Sequence, residues 1–482
     1  MGHAASAGEC GAIPNCLLDR ADCGIASFNS LKGYVVDIMK KRVWALAACM
    51  VLSAGIWICP GVSAQNDKIE PKDRERAKRM LEDMRNTLKK NYYDPTFHGL
   101  DLEARYQTYR ERLEKVTTLG DAFRTIAAYM SGLQDSHTFF IPPRLSYRSD
   151  YGYRMQMVGN SCYITEIRPG TDAAQKLHIG DQVVSLDGFG INRKDLWQLE
   201  YFLNQLAPKP ASEFQLRSPT GAARNEQVQT KYIQGKPLKD LTLQHGDTDI
   251  YNVIFERDKE VHLMRSRYVE QADVMIWKMP AFVLSEGEVD HIMGVARKHK
   301  ALILDLRGNP GGYVMTLDRM LGNVFDHEVK VGVRVTRKGE KPMTAKSRGN
   351  AAFAGDLVVL VDSGSASAAE LFARVIQLEH RGRIVGDRSS GSVMESLHYS
   401  FRAGMDIVVF YAASVTEADL IMTDGKSLEK SGVTPDEVIL PTAQDLAAGL
   451  DPVLARAAAL VGWKLDAGAA EKLFPFEWLP LE

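Results

Sequence analysis

The seven residues Gly364–Glu370, six of them small, have the composition of a catalytic turn. They read GSASAAE and follow the apolar run Leu357–Val361. An apolar strand that runs into small residues and then into a helical pattern predicts a strand–turn–helix, in which Ser367 projects its hydroxyl from the edge of a sheet. The next amide, that of Ala368, is then free at the start of a helix. This arrangement suits a nucleophile with an oxyanion site beside it.

A second segment, Lys300–Gly312, reads as a buried strand that continues into the loop RGNPGG. Gly311 and Gly312 permit positive φ angles and a close approach of the backbone to a bound group. Both segments also have a simpler interpretation, because N-cap serines and glycine-rich turns are common. Their occurrence together, in this order, favours the catalytic interpretation.

Together the two segments resemble the tail-specific and C-terminal processing serine proteases and their tricorn-like relatives. The resemblance extends from about Arg74 to Ala448. In the bacterial processing proteases it implies a lysine base downstream of the nucleophile. Ser392 stands at that position in the matching stretch 386–393. A serine cannot act as that general base, so a Ser–Lys dyad is absent.

The tricorn-like branch implies a different catalytic set, and two further motifs match it. These are DSHT at residues 135–138 and GKSLEKSGVTPD at residues 425–436. By resemblance, His137 is the general base, Glu429 orients the charge network, and Ser136 links the imidazole to the carboxylate. A histidine near its ordinary pKa of about 6.5 can take the serine proton and return it to the leaving amine. A structural histidine and a solvated loop carboxylate remain the alternatives.

The predicted oxyanion hole combines the backbone N–H of Ala368 with that of Gly311 or Gly312, and the sequence does not decide which glycine donates. No cofactor or metal is expected. The spacings between the histidines match no zinc-binding pattern, and the sequence contains no phosphate loop or nucleotide-binding fingerprint.

These groups need a scaffold, and the sequence predicts an α/β (α+β, multidomain) chain. By resemblance, its catalytic core is of the ClpP/crotonase-like type. The predicted division is a leader and signal peptide (1–64), a helical region that carries Ser136 and His137 (65–148), a PDZ-like module (149–235), a catalytic domain (236–448), and a C-terminal helix and tail (449–482).

The PDZ-like interpretation rests on the stretch IGDQVVSLDG at residues 179–188. PDZ domains bind peptides by strand addition and capture a terminal carboxylate with backbone N–H groups. A peptide C-terminus is therefore a candidate partner. A PDZ fold that serves only as a rigid spacer is the alternative.

A basic tetrapeptide at 39–42, an apolar stretch at 43–58 and the small residues 62–64 predict a secretory signal peptide with Met39 as the natural start. Only Cys162 lies beyond it, so no intramolecular disulfide can form in the mature chain. These features favour export, most simply to a bacterial periplasm, without a stable membrane span. A membrane anchor and a lipoprotein cysteine in LAAC (46–49) are the alternatives.

The chain has 482 residues, 45% of them apolar, and a formal net charge of -2. The near-zero charge argues against a nucleic-acid-binding protein. The sequence thus predicts an exported serine endopeptidase with polypeptide substrates, and it does not predict an oligomeric state. The alternative function is a catalytically silent relative that binds a hydrophobic ligand, or peptide C-termini through the PDZ-like module.

Overall fold

The protein is described by a computed structural model that covers residues 68–143, 147–206, 208–234, 266–403 and 408–478. The predicted leader and signal peptide lie outside these ranges. Within them, every helix is too short or too polar to cross a bilayer. The described chain has the mixed α/β architecture that the sequence predicts, with helices at the N-terminal end and several sheets.

Three helices form the N-terminal part: α1 (Pro71–Asn91), α2 (Leu102–Lys115) and α3 (Leu119–Ser131). The side chains of Asp101 and Thr118 accept backbone N–H bonds at the starts of α2 and α3, as N-caps do. The apolar faces of the helices meet in one cluster with strands from the C-terminal half of the chain. The helices thereby support the segment after α3, which contains the predicted base.

An inserted module, residues 147–234, is built on an antiparallel sheet with strand order β3-β4-β5-β7-β8, and β6 pairs with β5. Its elements are β2 (Tyr147–Asp150), β3 (Tyr153–Val158), β4 (Ser161–Ile167), α4 (Ala173–Lys176), β5 (Gln182–Leu186), β6 (Phe189–Gly190), α5 (Leu196–Tyr201), β7 (Ala211–Arg217), β8 (Ala223–Gln229) and β9 (Lys231–Gln234). Strands β2 and β9 pair in a separate ribbon. The PDZ-like identity of the module stays a prediction.

The main sheet has strand order β10-β11-β12-β15-β16-β19 and is parallel except at β10. Its strands are β10 (Arg267–Gln271), β11 (Val274–Lys278), β12 (Ala301–Asp305), β15 (Asp356–Val361), β16 (Arg383–Gly386) and β19 (Glu437–Val438). Strands β11, β12 and β15 are apolar and almost entirely buried, as expected for parallel strands covered on both faces. The loops that follow β12 and β15 therefore meet at one edge of the sheet.

Helices cover the main sheet on both faces. Helices α6 (Glu286–Ala296), α7 (Val314–Val324) and α8 (Ala368–Leu378) contribute to one apolar cluster, and α10 (Pro452–Leu460) and α11 (Ala467–Glu471) contribute to another. The residue pattern of 445–460 predicts a single closing helix, and this prediction is wrong. A short α9 (Ala443–Ala447) ends before Gly449, which has φ 63°, and Asp451 caps a new helix.

A second sheet brings the predicted base to the catalytic region. It contains β1 (Phe139–Ile141), β13 (Val329–Thr336), β14 (Gly339–Ala345), β17 (Met394–Ala403) and β18 (Val409–Met422). Strand β1 pairs antiparallel with β18, so that Phe139 lies opposite Ser414. The hydroxyl of Ser414 also donates to His137 O at 2.6 Å, across 277 residues of sequence. Strand pairing thus fixes the backbone of His137.

Candidate active site

Ser367 lies in the turn between β15 and α8, at the carboxyl edge of the main sheet. Ser365 stabilises this turn from within, because its buried hydroxyl donates to Leu306 O at 2.8 Å and accepts from Asp362 N–H at 2.9 Å. Asp362 Oδ1 also accepts the N–H of Gly308 at 2.8 Å. The turn is therefore joined firmly to the loop after β12.

The backbone of Ser367 has φ 53° and ψ -118°. Such angles cost a residue with a Cβ about 1–3 kcal/mol and persist only where the surroundings hold them. Here the Ser367 N–H donates to Ser392 O at 2.9 Å, and Ser367 O accepts from Leu371 N–H at 3.0 Å. A strained serine at a strand–helix turn is the geometry that presents a nucleophilic hydroxyl.

The glycine loop lies directly against the turn. A Cβ on Gly311 would stand 2.6 Å from the Cβ of Ser367 and 2.9 Å from the nitrogen of Ala368, so only glycine fits there. The Gly311 N–H donates to Asn309 Oδ1 at 2.8 Å and is already paired. Among the described residues, the N–H groups of Gly312 and Ala368 have no such partner. Of the two glycines predicted as donors, Gly312 keeps its N–H available.

Ser136, His137 and Glu429 form a continuous hydrogen-bonded chain. His137 Nδ1 lies 2.7 Å from Ser136 Oγ, and Ser136 Oγ lies 2.9 Å from Glu429 Oε2. Glu429 Oε1 also accepts the Ser136 N–H at 2.9 Å. Because 293 residues separate Ser136 from Glu429, the fold rather than local sequence brings them together.

The direction of these hydrogen bonds assigns the tautomer of His137. An ionised carboxylate can only accept, so the Ser136 hydroxyl donates to Glu429. The same hydroxyl therefore accepts from His137 Nδ1–H, an assignment that follows from the network. Nε2 is left with a free lone pair, which a general base requires.

Burial lowers the pKa of His137 to about 4, while the Asp135 carboxylate opposes this shift and His398 adds to it. The imidazole is therefore neutral at pH 7. Burial also raises the pKa of Glu429, against the hydrogen bonds that it accepts from a backbone N–H and from Ser136. The chain thus combines a neutral base with a carboxylate held by three donated hydrogen bonds.

Asp135 belongs to the site, although the sequence analysis did not select it. Its Oδ1 accepts the N–H groups of His137 and Thr138 at 3.0 and 2.6 Å and the Thr416 hydroxyl at 2.9 Å. The carboxylate therefore fixes the backbone that carries the imidazole. An aspartate two residues before the histidine is typical of an Asx turn, and this spacing is the signal that could have identified it.

Ser367 Oγ and His137 form no direct hydrogen bond in the described part of the chain. A backbone bridge relates them, since Ser367 donates to Ser392 O and the next N–H, that of Val393, donates to Glu429 Oε2, each at 2.9 Å. Catalytic hydrogen bonds are often long or poorly aligned before substrate binds. The predicted nucleophile and the predicted base therefore share one connected hydrogen-bonded framework.

Buried charges beneath the glycine loop form an ion network. Arg307 pairs with Asp305 at 2.9 Å and with Asp451 at 2.7 Å, and Lys278 pairs with Asp305 at 3.1 Å. Burial opposes the ionisation of Asp305, but the charges of Arg307 and Lys278 prevail and lower its pKa. These groups satisfy one another, so they shape the loop rather than face a substrate.

No group of three or more His, Cys, Asp or Glu side chains within the described ranges could hold a metal ion. The Glu429 carboxylate instead accepts hydrogen bonds from protein O–H and N–H groups. The site can therefore offer proton transfer and backbone stabilisation of negative charge.

Two family models match the chain. Residues 273–439 match Peptidase family S41, and residues 73–132 match the Tricorn protease C1 domain. The first region includes the glycine loop, the Ser367 turn and Glu429. The second covers most of the three N-terminal helices.

The curated relatives include proteins named "Probable CtpA-like serine protease". One, from Staphylococcus aureus (strain COL), is 27% identical over 231 residues, which cover 46% of this chain and 44% of that protein. Another, from Staphylococcus saprophyticus subsp. saprophyticus, is 25% identical over 232 residues, which cover 44% of this chain and 45% of that protein. The chain therefore matches less than half the length of these relatives. Together with the two family-model matches, these similarities support an assignment to the tail-specific protease family.

Solved structures show a fold consistent with this family. Mature CPAF has a TM-score of 0.58 at 15% identity and covers 78% of this chain and 94% of its own. CPAF complexed with lactacystin has a TM-score of 0.57 at 16% identity, with coverage of 78% and 96%. At these identities the likeness concerns the fold alone, and it extends well beyond the main sheet.

Proposed function

We propose that the protein is a serine-type peptidase that hydrolyses peptide bonds through an acyl-enzyme at Ser367. The observation that carries this proposal is the chain from His137 through Ser136 to Glu429, which leaves a neutral imidazole with Nε2 free. The match to Peptidase family S41 and the similarity to CtpA-like serine proteases support the same activity.

In the proposed mechanism, Nε2 of His137 takes the proton of the Ser367 hydroxyl as its oxygen attacks the carbonyl carbon of the substrate. The imidazolium then protonates the leaving amine, and the C–N bond breaks. Water enters, gives its proton to the same nitrogen, and hydrolyses the ester to release the acid and restore Ser367. Glu429 stabilises the imidazolium through Ser136.

The proposed oxyanion hole pairs the N–H of Ala368 with that of Gly312. The amide of Ala368 occupies the first position of α8, where the helix supplies no acceptor and its dipole favours negative charge. Gly311 contributes differently, because its missing side chain lets the loop approach Ser367.

Ser392 supports the histidine mechanism over a lysine one. It occupies the position of the lysine base in the processing proteases, and its hydroxyl lies 2.9 Å from that of Ser390. A serine hydroxyl in this place offers no basic group at neutral pH. Another residue must therefore accept the proton, and His137 is the candidate because it is hydrogen-bonded through Ser136 to Glu429.

We further propose that the substrates are unfolded or tail-exposed polypeptides and that the enzyme is exported, with residues 39–64 as its signal peptide. The inserted module is proposed to recruit or gate substrates as a PDZ-like domain. Its contacts support gating, because Ser363 Oγ donates to Met157 O and Gln156 Nε2 donates to Asp362 Oδ2, both at 2.6 Å. Movement of β3 would thus reach the turn that carries Ser367.

The test is labelling of the chain from Gln65 onward with a fluorophosphonate probe, followed by peptide mapping. Wild type, Ser367→Ala, His137→Ala and Ser392→Ala are compared, each first checked for folding by thermal melting. The proposal expects labelling at Ser367 that requires His137 and tolerates Ser392→Ala. Folded wild type that stays unlabelled and cleaves no unfolded protein would favour the silent binding protein instead.

A further inference from the structure

Glu370 is a fully buried carboxylate in the first turn of α8. Its Oε1 accepts the Ser389 hydroxyl at 2.5 Å and the Gly391 N–H at 2.8 Å. Its Oε2 accepts the N–H groups of Ser392 and Ser367 at 3.0 and 3.1 Å. One side chain therefore holds both the nucleophile and the loop after β16.

The chemistry of these four contacts requires a carboxylate. Three partners are backbone N–H groups, which can only donate, and the Ser389 hydroxyl accepts from Val433 N–H at 2.6 Å and so donates to Glu370. An amide in place of the carboxylate would point its NH₂ group at two of these donors. Burial raises the pKa of Glu370 to about 7 against the four hydrogen bonds.

The loop held by Glu370 also holds Glu429. Ser392 binds Glu370 through its N–H and Ser367 through its carbonyl, and the adjacent Val393 N–H donates to Glu429 Oε2 at 2.9 Å. The buried Glu370 and the half-buried Glu429 thus accept hydrogen bonds from adjacent N–H groups of the same short peptide. A shift of this peptide would move the nucleophile relative to the residue that orients the base.

We infer that Glu370 is a positioning residue that couples Ser367 to Glu429 through the peptide 389–393. The inference rests on the proposed function, since it assigns Glu429 to the orientation of His137. In the processing proteases this loop supplies a lysine side chain as the base. Here the same loop acts through its backbone.

The first test compares Glu370→Gln with a matched control, Glu379→Gln, an exposed carboxylate at the end of the same helix. Misplacement of reacting groups by about 1 Å can cost about 100-fold in rate. We expect Glu370→Gln to lower kcat by about 10- to 100-fold with KM changed by less than about 3-fold. Glu379→Gln should retain the wild-type kcat. Wild-type kcat in Glu370→Gln would overturn the inference.

A double-mutant cycle separates coupling from general damage. In the Glu429→Gln background, Glu370→Gln should lower kcat by a much smaller factor than in the wild type, because the orientation of His137 by Glu429 is already lost. Equal costs in both backgrounds would mean that Glu370 acts independently of Glu429 and would overturn the inference. Ser389→Ala, which removes one donor without adding any group, replaces Glu370→Gln in the cycle if that variant does not fold.

A spectroscopic measurement keeps this inference distinct from the peptidase activity. The His137 Nδ1–H proton, followed by NMR of histidine-labelled protein, should resonate upfield and exchange faster in Glu370→Gln than in the wild type or Glu379→Gln. An unchanged resonance would overturn the coupling even if the protein is an active peptidase. If the wild type cleaves nothing yet the resonance moves as expected, the coupling stands and the proposed function fails.

Discussion

The proposed nucleophile and the proposed base are positioned by contacts that differ in sequence separation. Ser365, which stabilises the nucleophile turn, hydrogen-bonds a residue 59 positions away at the same sheet edge. The segment of His137 is held by partners 277 to 293 positions away, in strand β18 and in the loop that carries Glu429. The proposed nucleophile is therefore held mainly within one α/β unit, whereas the proposed base depends on partners from distant segments of the chain.

The Ser367 turn and the His137 segment should therefore respond differently when distant residues are changed. The Ser367 turn should keep its shape when distant partners are changed. The imidazole should lose its tautomer and orientation when either Ser136 or Glu429 is changed. Four predictions, ordered by expected effect, test the contrast.

Ser367→Ala should abolish peptidase activity, with a loss of about 10⁶-fold in kcat, because no other group can form the acyl-enzyme. The thermal midpoint should not fall, since alanine removes only a hydroxyl from a strained turn. Steady-state rates of peptide hydrolysis measure the loss of activity, and mass spectrometry tests whether an acyl-enzyme can be trapped. Substantial turnover in purified Ser367→Ala would place the nucleophile elsewhere.

Glu429→Gln should reduce kcat by about 10²- to 10⁴-fold, because an amide can donate to Ser136 Oγ and reverse the hydrogen bonds that set the tautomer of His137. The turn at Ser367 should stay intact. Glu340→Gln, an exposed carboxylate on β14, is the control. If Glu429→Gln lowers kcat no more than the control does, Glu429 does not orient His137.

Gly311→Ala should lower kcat by about 10- to 100-fold and destabilise the fold by about 1–3 kcal/mol, since the new Cβ meets Ser367 and the φ of 94° is strained. Gly308→Ala is the matched control. Gly308 also has a positive φ, 69°, but a Cβ there meets nothing within 4 Å. Steady-state kinetics and urea unfolding should give the larger loss for Gly311→Ala. If the two variants lose equal activity and stability, backbone strain alone explains the effect, and the contact with Ser367 does not contribute.

The pH dependence should report the buried base. With the pKa of His137 lowered to about 4, kcat/KM should stay level through pH 5 and decline only near pH 4, well below an ordinary histidine. The unfolded chain binds this proton more readily, near pH 6.5, so stability is complete above that pH and is lost as the pH falls towards 4. His137→Gln should remove that part of the stability loss. An acid limb near pH 6.5 would contradict the burial effect.

The local half of the site could be predicted from the sequence, because strand β15, the small residues and helix α8 follow one another directly. The residues Ser136, His137 and Glu429 could be named only through resemblance to a family, since nothing in their separate segments encodes a contact across 293 residues. The roles of Asp135 and Glu370 were not apparent, because each depends on donors supplied by segments folded around it. The break between α9 and α10 was missed because Gly449 and Asp451 interrupt an otherwise helical pattern.

The pair formed by Arg307 and Asp451 bears on the order in which parts of the chain are made and folded. Arg307 precedes the glycine loop, and its second partner lies 144 residues later, beyond Ser367 and Glu429. A ribosome therefore synthesises every group of the proposed catalytic site before the carboxylate that completes the charge balance under the loop. Until Asp451 emerges, the half-buried Arg307 guanidinium has only Asp305 as a carboxylate partner, and a charge network that lacks one member is destabilised. The nascent chain would thus complete the charge network under its glycine loop only after every group of the proposed catalytic site has been made.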